Sequence, residues 1–522
     1  MFGYRALRSY SRLLLATISL AGCTDSTGNA PGPPGPKGPR CVRYADGNST
    51  AYDQDGLSWS SAYVLIQDAI NAAQDAIQAQ IDAEDMVNPE EEGPYCEVWV
   101  AAGTYAVYQG NQTDTIELKP GIHFYGGFSG NEEYREARDL NGAKTVLDGK
   151  GEDASVCHVV TAAGEKSSQE IIIDGFTITG GNACPGSSDR RDGHGGGLIA
   201  YGKTLVSNCV FESNLSDQGG AIKLERANKA AIINTDFFSN ESRGSGGAVS
   251  TKYVDELLIK NGRFLSNRAG WNGGAVNRGA RIIIADCIFH GNQSSLNPEC
   301  YKDAPRPYCG GGALGTSGSN YIYRSVFYEN EGGNGGAVHC SSGGSVVATA
   351  SVFLSNKGSP VGGIGNDGCT VQVINSTFVG NMGSEAGSVV QWGGGRRLFG
   401  THIVNSILWG NGLWDGELPV VLDGPEIVDW TEGTQNYLKV LYSDVEGGYP
   451  GEGNIDQDPR FEDARSGDVH LRSGSPCIDA GIGAFAPETD ISGNSPRDDL
   501  GGMDTGIGPP WVDMGAYEYL PR

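Results

Sequence analysis

The chain has 522 residues, with 63 Asp and Glu against 37 Lys and Arg and a formal net charge of −26. That field repels phosphates, which excludes nucleic acid as a partner and makes adhesion to anionic lipid heads unfavourable. Glycine, at 81 residues, has about twice its usual share, yet glycine plus proline stays below the low-complexity range, so the chain reads as turn-dense and globular.

In chain order, Arg5, Arg8 and Arg12 precede the apolar run Leu13–Leu20, which is too short to cross a bilayer. Residues 1–22 are expected to be a signal peptide. The next phrase, "LAGC" (Leu20–Cys23), resembles the lipobox of bacterial lipoproteins. The resemblance implies cleavage before Cys23, lipidation of its thiol and stable attachment to a membrane. Thr24 stands where an Asp would signal inner-membrane retention, so outer membrane or cell surface is the expected location. Residues 23–40 include "PGPPGPKGPR", a polyproline-type spacer.

Residues 41–95 are expected to form an N-terminal cap. Tyr63, Ile66, Ile70, Ala73, Ile77 and Ile81 follow helical spacing and predict one helix over Ser60–Ala83. Its apolar stripe would plug the open first coil of the adjoining repeat, because a terminal repeat needs a cap.

Residues 96–445 carry that repeat. Gly-Gly-small-apolar phrases recur at Gly195–Leu198, Gly219–Ile222, Gly246–Val249, Gly273–Val276, Gly311–Leu314, Gly335–Val338 and Gly362–Ile364. Each is followed by Phe-x-x-Asn, from Phe211/Asn214 to Phe378/Asn381, with Leu408/Asn411 continuing the series. A period of this length marks a solenoid. Short β-branched runs such as "RIIIADCIF" and the lack of helical periodicity make each repeat strand and turn. The fold class is therefore all-β, a right-handed single-stranded parallel β-helix with an N-terminal capping helix. About twelve coils at ~4.8 Å make a rod on the order of 55–60 Å. The Phe is expected to stack on the next Phe. The small residue two positions earlier would make room inside, and the Asn would take left-handed geometry and ladder with its neighbours. The paired glycines would give the other corner its positive φ and admit close approach of the next coil.

The paired GGA[ILV] and FxxN phrases resemble the repeats of chlamydial polymorphic outer-membrane proteins and of bacterial pectate-lyase-like β-helix proteins. The similarity runs from about Val98 to Ser443. "GLSWSSAYVLIQDAINAA" and "VWVAAGTY" look like the N-terminal module of the bacterial group. "GNIDQDPRF", "DVHLRSGSPCIDAG" and "DMGAYEY" look like its C-terminal region, found in surface proteins with varied anchors. Residues 446–522 are accordingly expected to form a C-terminal cap or terminal coils.

Sites are sparser. "DRRDGHGGG" supplies the catalytic candidates Asp189, Arg191, Asp192 and His194. Polygalacturonases have Gly-His-Gly and Asn-Thr-Asp, and Gly193–Gly195 and Asn234–Asp236 match them in the wrong order. Pectate lyases hold calcium on clustered carboxylates beside an arginine base, which Asp189, Asp192 and Arg191 would imitate. The alternative is a solvated charged loop. Gly197–Thr204 fits the P-loop pattern, but a strand follows it where phosphate binding needs a helix, so no ATP is expected. Asp444, Asp456, Asp458, Asp463 and Asp468 would suit calcium, although no EF-hand spacing appears. Trp271, Trp392, Trp409 and Trp414 are candidates for stacking on sugars or for packing corners. Export permits disulfides: Cys300 and Cys309 bracket one insertion and are the favoured pair, with Cys41–Cys96 a second. No spacing suggests zinc.

These readings converge on a monomeric, non-catalytic adhesion or binding scaffold for a polysaccharide or surface protein, held to a membrane through Cys23. The competing reading is a polysaccharide lyase or glycoside hydrolase of the same fold, and fold does not choose between them.

Overall fold

A computed structural model describes residues 41–521 apart from 84–92, 165–168, 185–192, 278–280, 295–309, 393–399, 414–421, 432–437 and 499–503. Residues 1–40, with the expected signal peptide, spacer and Cys23, and the expected pair Cys300 and Cys309 lie outside the described residues.

One coil shows how sequence becomes shape. Strand Val249–Lys260 bends at Tyr253 (φ 55°), turns at Asn261 (φ 53°) into Arg263–Leu265, and turns again at Ser266 (φ 56°). Arg268–Ala269 and Gly273-Gly274 lead back to Val276, directly beside Val249. Successive coils pair in parallel, Phe237 with Phe264 and Phe264 with Phe289. The phenylalanine strands form a sheet of 12 strands. Parallel connections within a sheet are right-handed. The chain is thus a right-handed parallel β-helix. Its other long faces are a ladder led by the glycine pairs and a second ladder typified by Arg281–Ala285.

Alternation fills the bore. Val249, Leu257, Ile259 and Phe264 point in and are fully buried. From Phe237 to Phe378 the rings stack at 4.3–4.9 Å with interplanar angles of 5–9°. The expected asparagine ladder is also present. Nδ2 of Asn214 donates to Oδ1 of Asn240 at 3.0 Å, and the pattern continues to Asn411.

Two details differ from the sequence expectation, and a third, the glycine pairs, meets it with the two roles divided between the two residues. The left-handed residue at this corner is the one before each Asn: Ser213, Ser239, Ser266, Glu329 and Ser355 have φ of 51–56°. The Asn instead turns its amide inward, where every polar atom finds a partner. The small residue two before Phe does more than make room. The Ser325, Ser351, Ser376 and Ser406 hydroxyls each donate to the carbonyl two residues back. Each also accepts the N–H of its counterpart one coil earlier at 3.2–3.3 Å. Cys209 and Cys287 take the same position, their thiols donating to Ser207 O and Ala285 O. The glycine pairs divide their labour. The first glycine has positive φ in four coils, at Gly195, Gly219, Gly246 and Gly273. The second admits the neighbouring coil. A methyl group on Gly247 would collide with the carbonyl of Gly274 and the backbone of Arg268. Gly247→Ala is expected to cost about 3 kcal/mol through overpacking. Gly410→Ala, with φ 68° but open space around it, should cost only the backbone strain of about 1–2 kcal/mol. Urea unfolding of the two variants checks the difference.

Helix α1 spans Ile66–Ala83 and buries Ile66, Ala69, Ile70, Ala73 and Ile77 against the first coil. It starts later than the predicted Ser60. Residues 59–61 form a 3-10 turn, and the Tyr63 N–H pairs with the Tyr44 carbonyl, which keeps that stretch extended.

Cys41 is bonded to Cys96 on the adjacent parallel strand. Cys157–Cys184 and Cys340–Cys369 are further disulfides, each spanning about one coil. Spacing of about one period does not by itself choose the pairs, because Cys184 stands about one period from Cys209 as well as from Cys157. The region 446–522 does more than end the rod. Ile455 pairs beside Asp444 to complete the last turn. Phe461, Val469, Leu471, Cys477, Ile482 and Met514 then form a separate core against the outer face of the phenylalanine ladder, packing on Val352, Leu354, Val379 and Ile407.

Candidate functional site

The outward positions of the glycine-led ladder form two straight columns. One runs Lys223, Ser250, Asn277, Gly315, His339, Gly365, each beside its counterpart one coil on. The other contains Tyr201, Glu225 and Lys252, then Ser341, Asp367 and Trp392 further along the rod. The strand period of two sends these side chains outward, while Ile222, Val249 and Val338 between them go in.

The inner column is deeply covered. The Lys223 side chain lies along the ladder, and its ammonium donates to Ser250 Oγ at 3.0 Å and Gln218 Oε1 at 2.9 Å. His339 is 2% exposed, and neither ring nitrogen has a hydrogen-bond partner. Burial pushes its pKa down to about 4, so the ring is neutral. Trp392 stacks on it at 5.9 Å, lying over Gly365, where a side chain would strike the indole. The outer column is more open. Lys252 is exposed and Ser341 and Asp367 are half-buried, while Tyr201, Glu225 and Trp392 in the same column are buried. Burial raises the Asp367 carboxyl above its ordinary range.

Of the catalytic candidates, Asp189, Arg191 and Asp192 lie outside the described residues. His194 sits at the edge of this face, its Nδ1 4.0 Å from Glu225 Oε1. Burial and then Lys223 lower its pKa, against the opposing pull of Glu225 and Asp217. His194, Glu225 and Lys223 are the chemistry-bearing cluster, and the sequence pointed to only the first. The missed signal was a lysine at an outward position that is Ser or Asn in the next two coils. Asn234-Thr235-Asp236 is structural: Asn234 ladders with Asn208, Thr235 belongs to the hydroxyl series, and Asp236 pairs with Arg263. The P-loop-like segment folds as strands Leu198–Tyr201 and Thr204–Ser207.

The five C-terminal aspartates fall into two groups: Asp456 and Asp458 act on Asp444 through their charge, and Asp463 faces Asp468 across an antiparallel pair. Asp444 is buried, accepts from Gln457 N and Cys477 Sγ, and is pushed up to about 7 by desolvation. Asp463 caps a turn through Ser466, and Asp468 pairs with His470. A different trio, Asp479, Asp498 and Asp504, brings carboxylate oxygens within 4.8 Å of one another. An all-oxygen donor set suits calcium rather than zinc. Trp414 lies outside the described residues, Trp392 is buried, and Trp409 and Trp271 reach solvent.

No family model and no curated protein matches this chain. Among solved structures, it is similar to the pectate lyase Pel9A, at 14% identity and a TM-score of 0.44, over 92% of this chain and 96% of that one. It is also similar to the A-module of the mannuronan C-5 epimerase AlgE4 of Azotobacter vinelandii, at 12% identity and a TM-score of 0.25, over 79% of this chain and 100% of that one.

Proposed function

We propose that the chain is an exported, lipid-anchored β-solenoid that binds a polysaccharide along the outer column of the glycine-led ladder without transforming it. The lipobox-like Leu20–Cys23 and the proline spacer support the anchor, and the repeat and C-terminal phrases support a surface location. One observation carries the binding reading. Polar outward side chains stand in straight register, spaced by the strand separation of ~4.8 Å. An extended glycan has a repeat of similar length, so successive sugars meet successive coils.

Affinity electrophoresis through gels containing pectate, alginate, xylan or glucan tests this. At least one polymer should retard the chain. Replacing exposed Lys252 and half-buried Asp367 together by Ala should weaken retardation about tenfold, roughly one charge-assisted contact. Unretarded migration in every gel sinks the reading. The cluster of His194, Glu225 and Lys223 favours the enzymatic alternative. Steady release of unsaturated products, abolished by His194→Ala, would put a lyase in place of a binding scaffold.

A further inference from the structure

The docking of the C-terminal region on the rod creates a feature with different chemistry from the ladder face. An open cavity of about 300 Å³ lies where Trp409, the last residue of strand Ile407–Trp409, meets the segment 458–473. Its walls include Trp409, Phe461, Asp458, Arg460, Arg472 and Ser473. Two arginines and one aspartate thus line one cavity in a chain whose net charge is −26, with Glu462 paired to Arg472 beside it.

The arginines are held, not loose. The Arg460 N–H donates to Asp458 Oδ1 at 2.8 Å, and its Nη1 to Gly474 O at 2.8 Å. The Arg472 N–H donates to the Arg460 carbonyl at 3.0 Å, its Nε to Glu462 Oε2 at 3.4 Å, and its Nη2 to the Glu462 carbonyl. These bonds use part of each donor fork and leave further N–H groups on both. Phe461 is buried beneath them, in the core that fastens the C-terminal region to the rod. Trp409 is half-buried and adds a flat apolar ring.

We infer that this cavity binds a carboxylated sugar, a hexuronate within an acidic saccharide. A guanidinium matches a carboxylate in shape and charge. The indole offers a surface to the C–H face of a pyranose, and Asp458 and Ser473 can accept hydroxyl protons. A peptide carboxylate would satisfy the arginines but make less use of the ring and the acceptors. The inference stands apart from binding on the ladder face, because the two sites share no residue.

Isothermal titration of the purified full chain tests it, with digalacturonate, its neutral galactose counterpart and an acidic dipeptide as probes. Digalacturonate should bind, with the neutral sugar and the dipeptide at least about tenfold weaker. Arg460→Gln with Arg472→Gln should weaken digalacturonate by about tenfold or more, while Lys252→Ala with Asp367→Ala leaves it unchanged. Trp409→Leu breaks no ion pair and keeps an apolar side chain against the C-terminal core; it should lose affinity while the chain still unfolds cooperatively, which covers the case of arginine variants that fail to fold. Absence of heat at millimolar digalacturonate, equal affinity for the neutral sugar, tighter binding of the dipeptide, or indifference to Trp409→Leu each overturns the inference.

Discussion

Asn292→Ala is expected to lower stability by about 3–5 kcal/mol, because it strands several buried groups at once. Oδ1 of Asn292 accepts both the backbone N–H and the side-chain N–H of Asn267, at 3.0 Å each. Its Nδ2 donates to Phe264 O at 2.8 Å and to Asn330 Oδ1 at 2.9 Å. Asn292 and its neighbours Asn267 and Asn330 are fully buried. No water replaces the lost partners, and each abandoned donor costs about 1–3 kcal/mol. Asn234→Ala is the control. That asparagine also ladders, but it is exposed, and its loss should cost only about 1 kcal/mol, mostly from its left-handed backbone (φ 49°). Coils touch only their neighbours, so the Asn292 variant should also broaden the urea transition or split it, as the rod falls into two weakly coupled blocks. Equal unfolding midpoints for the two variants would remove the ladder from any account of stability.

Glu426→Gln is expected to change how stability depends on pH. The asparagine ladder ends on this carboxylate, which accepts from Asn411 Nδ2 at 2.9 Å and from the Ser388 hydroxyl. Burial is the largest influence on it and pushes its pKa up from 4.5 to about 7, outweighing the hydrogen bonds that favour its charge. An unfolded glutamate loses its proton near its ordinary pKa, while the folded one keeps it until about pH 7. Its contribution is therefore complete below the unfolded pKa and is lost as pH rises through the folded one. The loss is about 3 kcal/mol between acid and mildly alkaline solution. Glutamine cannot ionise and keeps an acceptor for Asn411. The variant should match the parent in acid and exceed it at pH 8. Asp444 (about 7) and Glu518 (about 9) are also raised by burial and give a slope of the same sign in both proteins. The diagnostic is therefore the gap between the two curves from urea unfolding. Parallel curves across this range would mean that Glu426 is already ionised in the fold.

The two results bear on one design. A solenoid gains length without enlarging its core, but every coil adds polar groups that no water reaches. The ladders of Asn, Ser and Cys answer that by bonding each coil to the next, as Gly262 N–H does to the Cys287 sulfur. An ending is then required, and Glu426 supplies it with a group whose charge is costly in that position.

The sequence by itself determined the repeat, the inward phenylalanines, the asparagine ladder and the capping helix. Each depends on periodicity, and periodicity fixes which side chains lie above one another. It did not assign the left-handed positions, because Ser, Glu, Asn and Arg all take φ near 50° here wherever the hydrogen bonds of adjacent coils demand it. It did not show that the small residues before Phe bond from coil to coil, since room and a hydroxyl ask for the same residue types. The sites depended on tertiary structure almost wholly. His194, Lys223 and Glu225 meet because one coil spans about 27 residues, so partners on one face are far apart in sequence. Trp409 and Arg460 line one cavity only because the C-terminal region folds back along the rod, and that docking follows from apolar residues on the outside of the phenylalanine strands. Contacts between successive coils can be read from a repeating chain, because each turn sets the next. Contacts between the rod and a segment outside the repeat cannot, because no period relates them.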